Sequence, residues 1–238
     1  MSVQNILYKK QIAINDSISI VIPKVGEIID DEDTYYNLVS ILTAMPIDFM
    51  VLLDDAGIDY TTINAYQMFL MLFNTVKETD THMVFGDLDL SSFEMAVSEQ
   101  NGQIVLLDRK RDIVIDRAIH GQIAGVLRKI HHLEKNRRKP ANEEAKRYML
   151  ERARIKAERD RKRQRFSQLE PLIIAMVNTE QYKYNFEETK DLSIYQFNES
   201  VRQIIKKIDY DNRMYGVYSG TINAKELSQD DLNWLSHK

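Results

Sequence analysis

The sequence predicts an α+β fold, mostly helical, with a small central antiparallel β meander and one long charged helix. Three observations carry this expectation. Apolar residues recur at helical spacing toward both ends of the chain. The pair Asn101-Gly102, the strongest short hairpin signal, sits among β-branched runs near the middle. Charge is the third. Val126 to Arg165 holds 16 basic and 6 acidic residues, which leaves 16 basic and 30 acidic residues for the rest of a chain of net charge −4.

The elements follow in order. Ile12, Ile14, Ile18, Ile20 and Ile22 alternate as one or two short strands that end at Pro23. Asp30 to Asp33 supplies an acidic helix N-terminus, where negative charge favours the dipole. Tyr35, Leu38, Val39, Ile41, Leu42 and Met45 continue that helix. Pro46 opens a second helix, closed near Gly57. A third, from about Thr62 to Lys77, is apolar on nearly every side and belongs in a core or against a partner. Phe93 to Val97, Gln103 to Asp108 and Asp112 to Asp116 then read as a three-stranded meander, although the first of these also fits a helix.

The last part reads as helical. Ile119, Ile123, Val126, Leu127 and Ile130 make one stripe, and Glu143 to Arg165 is the charged helix. Ser167 and Glu170 fit a capping box, as do Ser193 and Gln196. Behind the second box, Ile194, Phe197, Val201, Ile204 and Ile208 step by three and four in a coiled-coil-like seam. A short helix bearing Trp234 closes the chain. Charge and pattern divide it into residues 1–78 (strand plus helices), 79–136 (β-rich centre and helix) and 137–238 (charged helix and C-terminal helices), or leave it one continuous domain.

Composition narrows the function classes. With no cysteine there are no disulfides, thiolate nucleophiles or thiolate metal sites. The N-terminus lacks a basic start and a long apolar run, and the apolar run Phe69 to Phe73 is far short of the ~20 residues that span a bilayer. The expectation is a soluble, cytosolic protein.

Each candidate site has an ordinary counterpart. The basic helix offers Arg152, Arg154, Arg159, Arg161, Lys162 and Arg163 as a surface for nucleic acid, or for an acidic neighbour that includes the rest of its own chain. It has few aromatics on which bases could stack. His131-His132 point about 100° apart on a helix and cannot chelate alone, so they read as helix-surface histidines. Asp87 and Asp89 would share one face of a strand, where paired carboxylates can hold Mg²⁺, or simply alternate with Leu88 and Leu90. Gly121 and Gly125 suggest close packing of another element on their helix. No phosphate loop, nucleophile elbow or zinc-protease motif occurs, so neither catalysis nor a cofactor is expected.

A resemblance enters at the C-terminal part. Leu192 to Asp211, Tyr215 to Ile222 and the closing Leu232 to Leu235 resemble proteins from the tail-gene clusters of contractile-tailed bacteriophages and prophages. They are similar to small tail-assembly-chaperone and baseplate-hub-assembly proteins. The likeness covers mainly residues 168–235, with support from the helices between Asp33 and Lys77. It is a pattern of helices with a terminal Leu-Asn-Trp, and the charged insertion and the hairpin depart from the smaller members.

The resemblance implies no catalytic residues. It implies a non-enzymatic escort or minor structural piece, at work in the host cytoplasm or carried into the virion. Expected partners are tail or baseplate proteins or further copies of the chain, with nucleic acid the alternative through residues 143–165 and no membrane. The seam of Ile194, Phe197, Val201, Ile204 and Ile208, with Trp234 nearby in sequence, is the candidate contact surface, or else that stripe covers the protein's own core.

Overall fold

A computed structural model describes residues 5–99, 102–162 and 166–235. At the N-terminal end, the amide groups of Ser17 and Ile18 donate to the Asn15 side chain at 3.0 and 2.8 Å. That turn sets β1 (Gln11–Ala13) antiparallel to β2 (Ser19–Val21), with Ile12 opposite Ile20. Both isoleucines, with Ile18 and Ile22, point into the core. Pro23 ends the strand, and α1 (Val25–Asp30) follows at once. So short a helix leaves too few turns for a readable period, and the sequence analysis did not foresee it.

The acidic patch opens α2 (Glu32–Thr43) as expected, burying Tyr35, Leu38, Val39, Ile41 and Leu42. The helix expected from Pro46 is split into a 3-10 turn, Pro46–Phe49, and α3 (Met50–Asp55). Gly57 closes it at φ +71°, its amide donating to the Asp54 carbonyl at 2.9 Å. Asn64 caps α4 (Ala65–Lys77), accepting from the Gln67 amide while Gln67 accepts from the Asn64 amide. Tyr66, Met68, Phe69, Leu70, Phe73 and Val76 are buried, which explains a helix apolar on most sides.

After α5 (His82–Phe85) comes the central sheet, β3 (Glu94–Val97), β4 (Ile104–Asp108) and β5 (Ile113–Ile115). Its order is β3-β4-β5, antiparallel throughout, so the first run is strand and the meander is real. Gly102 takes φ +67° in the first turn, while Asn101 lies outside the described residues. Asp87 and Asp89 correct the expectation. They lie in no strand, and Asp89 accepts from the Ser91 amide and hydroxyl at the start of a 3-10 turn, Leu90–Ser92.

Asp116 caps α6 (Arg117–His131), and Asn142 caps α7 (Glu143–Arg161). The C-terminal part holds α8 (Leu169–Val177), α9 (Phe186–Asp191) and α10 (Ile194–Tyr218). A 3-10 turn, Ala224–Glu226, and further turns then carry the chain to Leu235, where a short terminal helix was expected. The described residues make an α+β fold, 55% helical with two small antiparallel sheets.

One main core joins both ends of the chain, from Ile6, Ile12 and Val25 to Ile173, Ile194 and Phe197. Hydrogen bonds tie the same ends, Val25 amide to Leu192 carbonyl and Ile194 amide to Pro23 carbonyl, each 2.9 Å. A smaller core under α7 gathers Ile47, Leu53, Tyr60 and Met68, with Met149 packed against it.

Gly121 and Gly125 correct a second expectation. Both are exposed, and a Cβ on either would meet nothing within 4 Å. Close approach of another element is not what they provide.

Candidate functional site

The site begins with a cap. Ser193 accepts from the Gln196 amide, and the Gln196 side chain accepts from the Ser193 amide. The box fixes the start of α10, whose apolar period of 3.6 then aims one stripe at the core. Ile194 and Phe197 are 0% exposed, so both are spent inside the protein's own core. Val201 and Ile204 pack partly against it. The core ends there; the helix does not.

Beyond Ile204 the stripe runs on through Ile205, Ile208, Asn212 and Tyr215, in steps of three and four. Ile205 is 59% exposed, Ile208 37% and Tyr215 77%. The sequence reading ended this seam at Ile208. Continuing the same spacing would have found Tyr215, but nothing local shows where a helix outruns its core.

The tail folds back along the same helix. At the edge of the stripe, one turn beyond Asn212, a Cβ on Gly216 would sit 2.6 Å from Ile222 Cδ1. Part of the polar side is covered as well. Arg213 binds Asp209 and reaches Asp231 at 2.5 Å. Lys207 pairs with Asp211 at 2.6 Å and lies 5.7 Å from the Trp234 ring. Trp234 is therefore half-buried on the back of α10 rather than beside the seam. Water meets the apolar face of this helix, and protein covers part of its charged one.

Helix α7 has its own division. Lys146 binds Asp59 at 2.6 Å, and Arg154 bridges Asp54 and Asp55 at 2.6 Å each, so the basic helix docks on acidic residues of its own chain. Lys146 and two Thr61 donors hold the Asp59 carboxyl down at about 2. No side chain of α7 is fully buried. Lys162 pairs with Glu158, whereas Arg152, Arg159 and Arg161 are exposed. Arg163 lies outside the described residues. Tyr148 and Ile155 are also exposed, on the side away from Met149.

A strap with neither helix nor strand, Leu133 to Pro140, leads into α7. Arg137, Arg138 and Lys139 line a cleft of about 400 Å³ whose other wall includes Met45, Ile47 and Tyr60. The Tyr60 hydroxyl is buried there and, among the described residues, has no hydrogen-bond partner.

The histidines are packing residues, which corrects the expected surface role. His131 Nε2 lies 2.8 Å from Tyr35 Oη, with its ring against Tyr35 and Tyr36. His132 takes φ +53° to end α6, its ring near Tyr195 and its Nε2 3.5 Å from Glu199. His120 is buried and stacked on Phe69 at 4.5 Å. Burial lowers all three, His120 and His131 to about 4.

Residues 160–238 are similar to the family described as the YomV second domain, a phage-derived domain. The matched segment contains α8, α9, α10 and the tail folded on its back. No curated protein and no solved structure matches the chain. Among the described residues no helix is long and apolar enough to cross a membrane.

Proposed function

We propose that this chain is a non-enzymatic bacteriophage tail or baseplate assembly protein, chaperone-like or a minor structural component, working through protein–protein contacts. The carrying observation is the bare stripe of Ile205, Ile208 and Tyr215, which lies inside the segment similar to a phage-derived domain. A contiguous apolar face of this kind marks an interaction surface. Laying such a face into a partner's groove is a recurring mode of helix recognition. The partners are tail or baseplate proteins, met in the host cytoplasm; a structural component would travel on into the virion.

The test is co-expression of the tagged chain with the virion proteins of its own genome, followed by affinity capture. A tail or baseplate protein should co-purify, and Ile208→Asp should release it. Capture of no virion protein sinks the reading. Mass spectrometry of purified virions then separates an escort, which is absent, from a subunit, which is present.

A second reading rests on Arg152, Arg159 and Arg161, exposed along α7. Binding of nucleic acid there would weaken steeply with added salt and be lost on charge reversal of these three.

A further inference from the structure

The cleft beside the strap has the parts of a small-molecule site. Met45, Pro46, Ile47 and Ile63 give it an apolar wall, and its volume of about 400 Å³ suits a ligand of modest size. Tyr60 supplies a polar group within. The residue is 6% exposed, and its hydroxyl is buried with no hydrogen-bond partner among the described residues. An unpaired buried hydroxyl costs stability, and an acceptor brought to it recovers that cost. Burial pushes this phenol up, so it keeps its proton to donate; the charges acting on it are those of Lys146, Asp59 and Glu143. Lys146 and Glu143 both line the cleft, which puts the hydroxyl on the cleft side of the ring.

The strap supplies positive charge. Arg137, Arg138 and Lys139 line the cleft in succession, all exposed, and among the described residues none of them has an acidic partner. The acids nearby are mostly engaged. Asp59 holds Lys146 at 2.6 Å. Asp48 accepts from Asn136 Nδ2 at 2.8 Å and from the Met45 amide at 2.9 Å, and it faces Arg128. Glu134 in the strap and Glu144 on α7 lie outside the lining. Among the described residues of the lining Glu143 is the one acid, 3.8 Å from Lys146 with its side chain 81% exposed. Three unpaired cations against this single acid leave an excess of two positive charges. A phosphate monoester carries roughly −1.5 to −2 at neutral pH, and arginine forks match its oxygens.

We infer that this cleft binds a phosphate monoester carrying an apolar or flat organic body. A phosphate oxygen accepts from the Tyr60 hydroxyl, Arg137, Arg138 and Lys139 supply the counter-charge, and the body lies on the wall of Met45, Ile47 and Ile63. A free nucleotide and the terminal phosphate of a nucleic-acid strand both offer this chemistry. The inference is independent of the α10 stripe and of any tail partner.

Isothermal titration calorimetry of the full chain with AMP, phenyl phosphate and inorganic phosphate tests it. Both monoesters should bind, at least about tenfold tighter than inorganic phosphate, and more weakly as salt is raised. Tyr60→Phe separates binding from folding. Deleting an unpaired hydroxyl should leave the thermal midpoint of the unliganded protein unchanged or higher, yet weaken both monoesters by about tenfold. Arg137→Glu with Arg138→Glu should abolish binding, whereas Arg159→Glu with Arg161→Glu, equally exposed on α7, should leave it unchanged. Two short DNA strands, one with a 5′-phosphate and one without, tell the sources apart. A phosphorylated strand that outbinds AMP makes a strand end the ligand; AMP that outbinds it makes the ligand a free small molecule. Failure of both monoesters to bind at millimolar concentration overturns the inference. So does binding that ignores Tyr60→Phe, or inorganic phosphate that binds as tightly as the monoesters.

Discussion

Glu32 Oε1 accepts the backbone amide of Leu169 at 3.0 Å, across 137 positions of sequence. It also accepts from the Gln168 amide at 2.6 Å, while the Ser167 hydroxyl donates to its other oxygen at 2.5 Å. One carboxylate at the start of α2 thus satisfies the free amides at the start of α8. Ser167 still accepts from the Glu170 amide, as a local box requires, but the second half of the cap comes from elsewhere in the chain.

Glu32→Ala should therefore cost about 1–2 kcal/mol of global stability, because it strands two helix-end amides and separates two elements at once. Glu32→Gln retains one acceptor and should cost less. Urea unfolding of the three proteins gives the order. Equal midpoints for wild type and Glu32→Ala would mean that water replaces the carboxylate without loss.

Acid should weaken the fold over a defined window. His120 and His131 are held near 4 by burial, whereas in the unfolded chain they titrate near 6.5. The unfolded state therefore binds more protons as pH falls below 6.5. Stability declines from there to about 4, by up to roughly 1.4 kcal/mol per pH unit for each histidine, and that loss then levels off. His120→Phe, which keeps a ring against Phe69, should flatten the slope between pH 6.5 and 4.5. An unchanged slope would trace the acid sensitivity to other groups.

Docking of α7 depends on Arg154 and Lys146. These are solvent-exposed pairs, so Arg154→Ala should lower the thermal midpoint only slightly, and less in high salt. Met149→Ala should cost more, because it opens the smaller core and salt does not screen that loss. Thermal unfolding at low and high salt separates the two effects.

Trypsin should cut first in the strap, after Arg137 or Arg138, which are exposed and outside any helix or strand; Lys139 precedes Pro140 and resists the enzyme. The fragments should stay together in gel filtration. The main core draws on both sides of the cut, from Val25 and Tyr35 to Ile173 and Phe197. Separation of the fragments under native conditions would mean that the shared core is weaker than its packing suggests.

What the sequence disclosed was what short range controls. The Asn64–Gln67 and Ser193–Gln196 boxes close within four residues, and the isoleucine alternation from Ile12 to Ile22 already contains its hairpin. The failures have the opposite character. Glu32 as the cap of α8, His131 against Tyr35 and Trp234 on the back of α10 all depend on where distant elements meet. α1 and α9 have six residues each, too few to show a period. At the candidate site the seam itself was readable. The point along it where the core stops was not, because burial of Phe197 and exposure of Tyr215 arise from the fold around one uniform pattern.

The inverted covering of α10 bears on how the protein fares in a cell. A helix whose greasy side meets water is a target for holdases and proteases whenever its partner is scarce. Steady-state abundance would then follow the supply of that partner more than the thermodynamic strength of the fold. Surplus copies would be cleared, and expression from an isolated gene would give low yields even though each molecule folds.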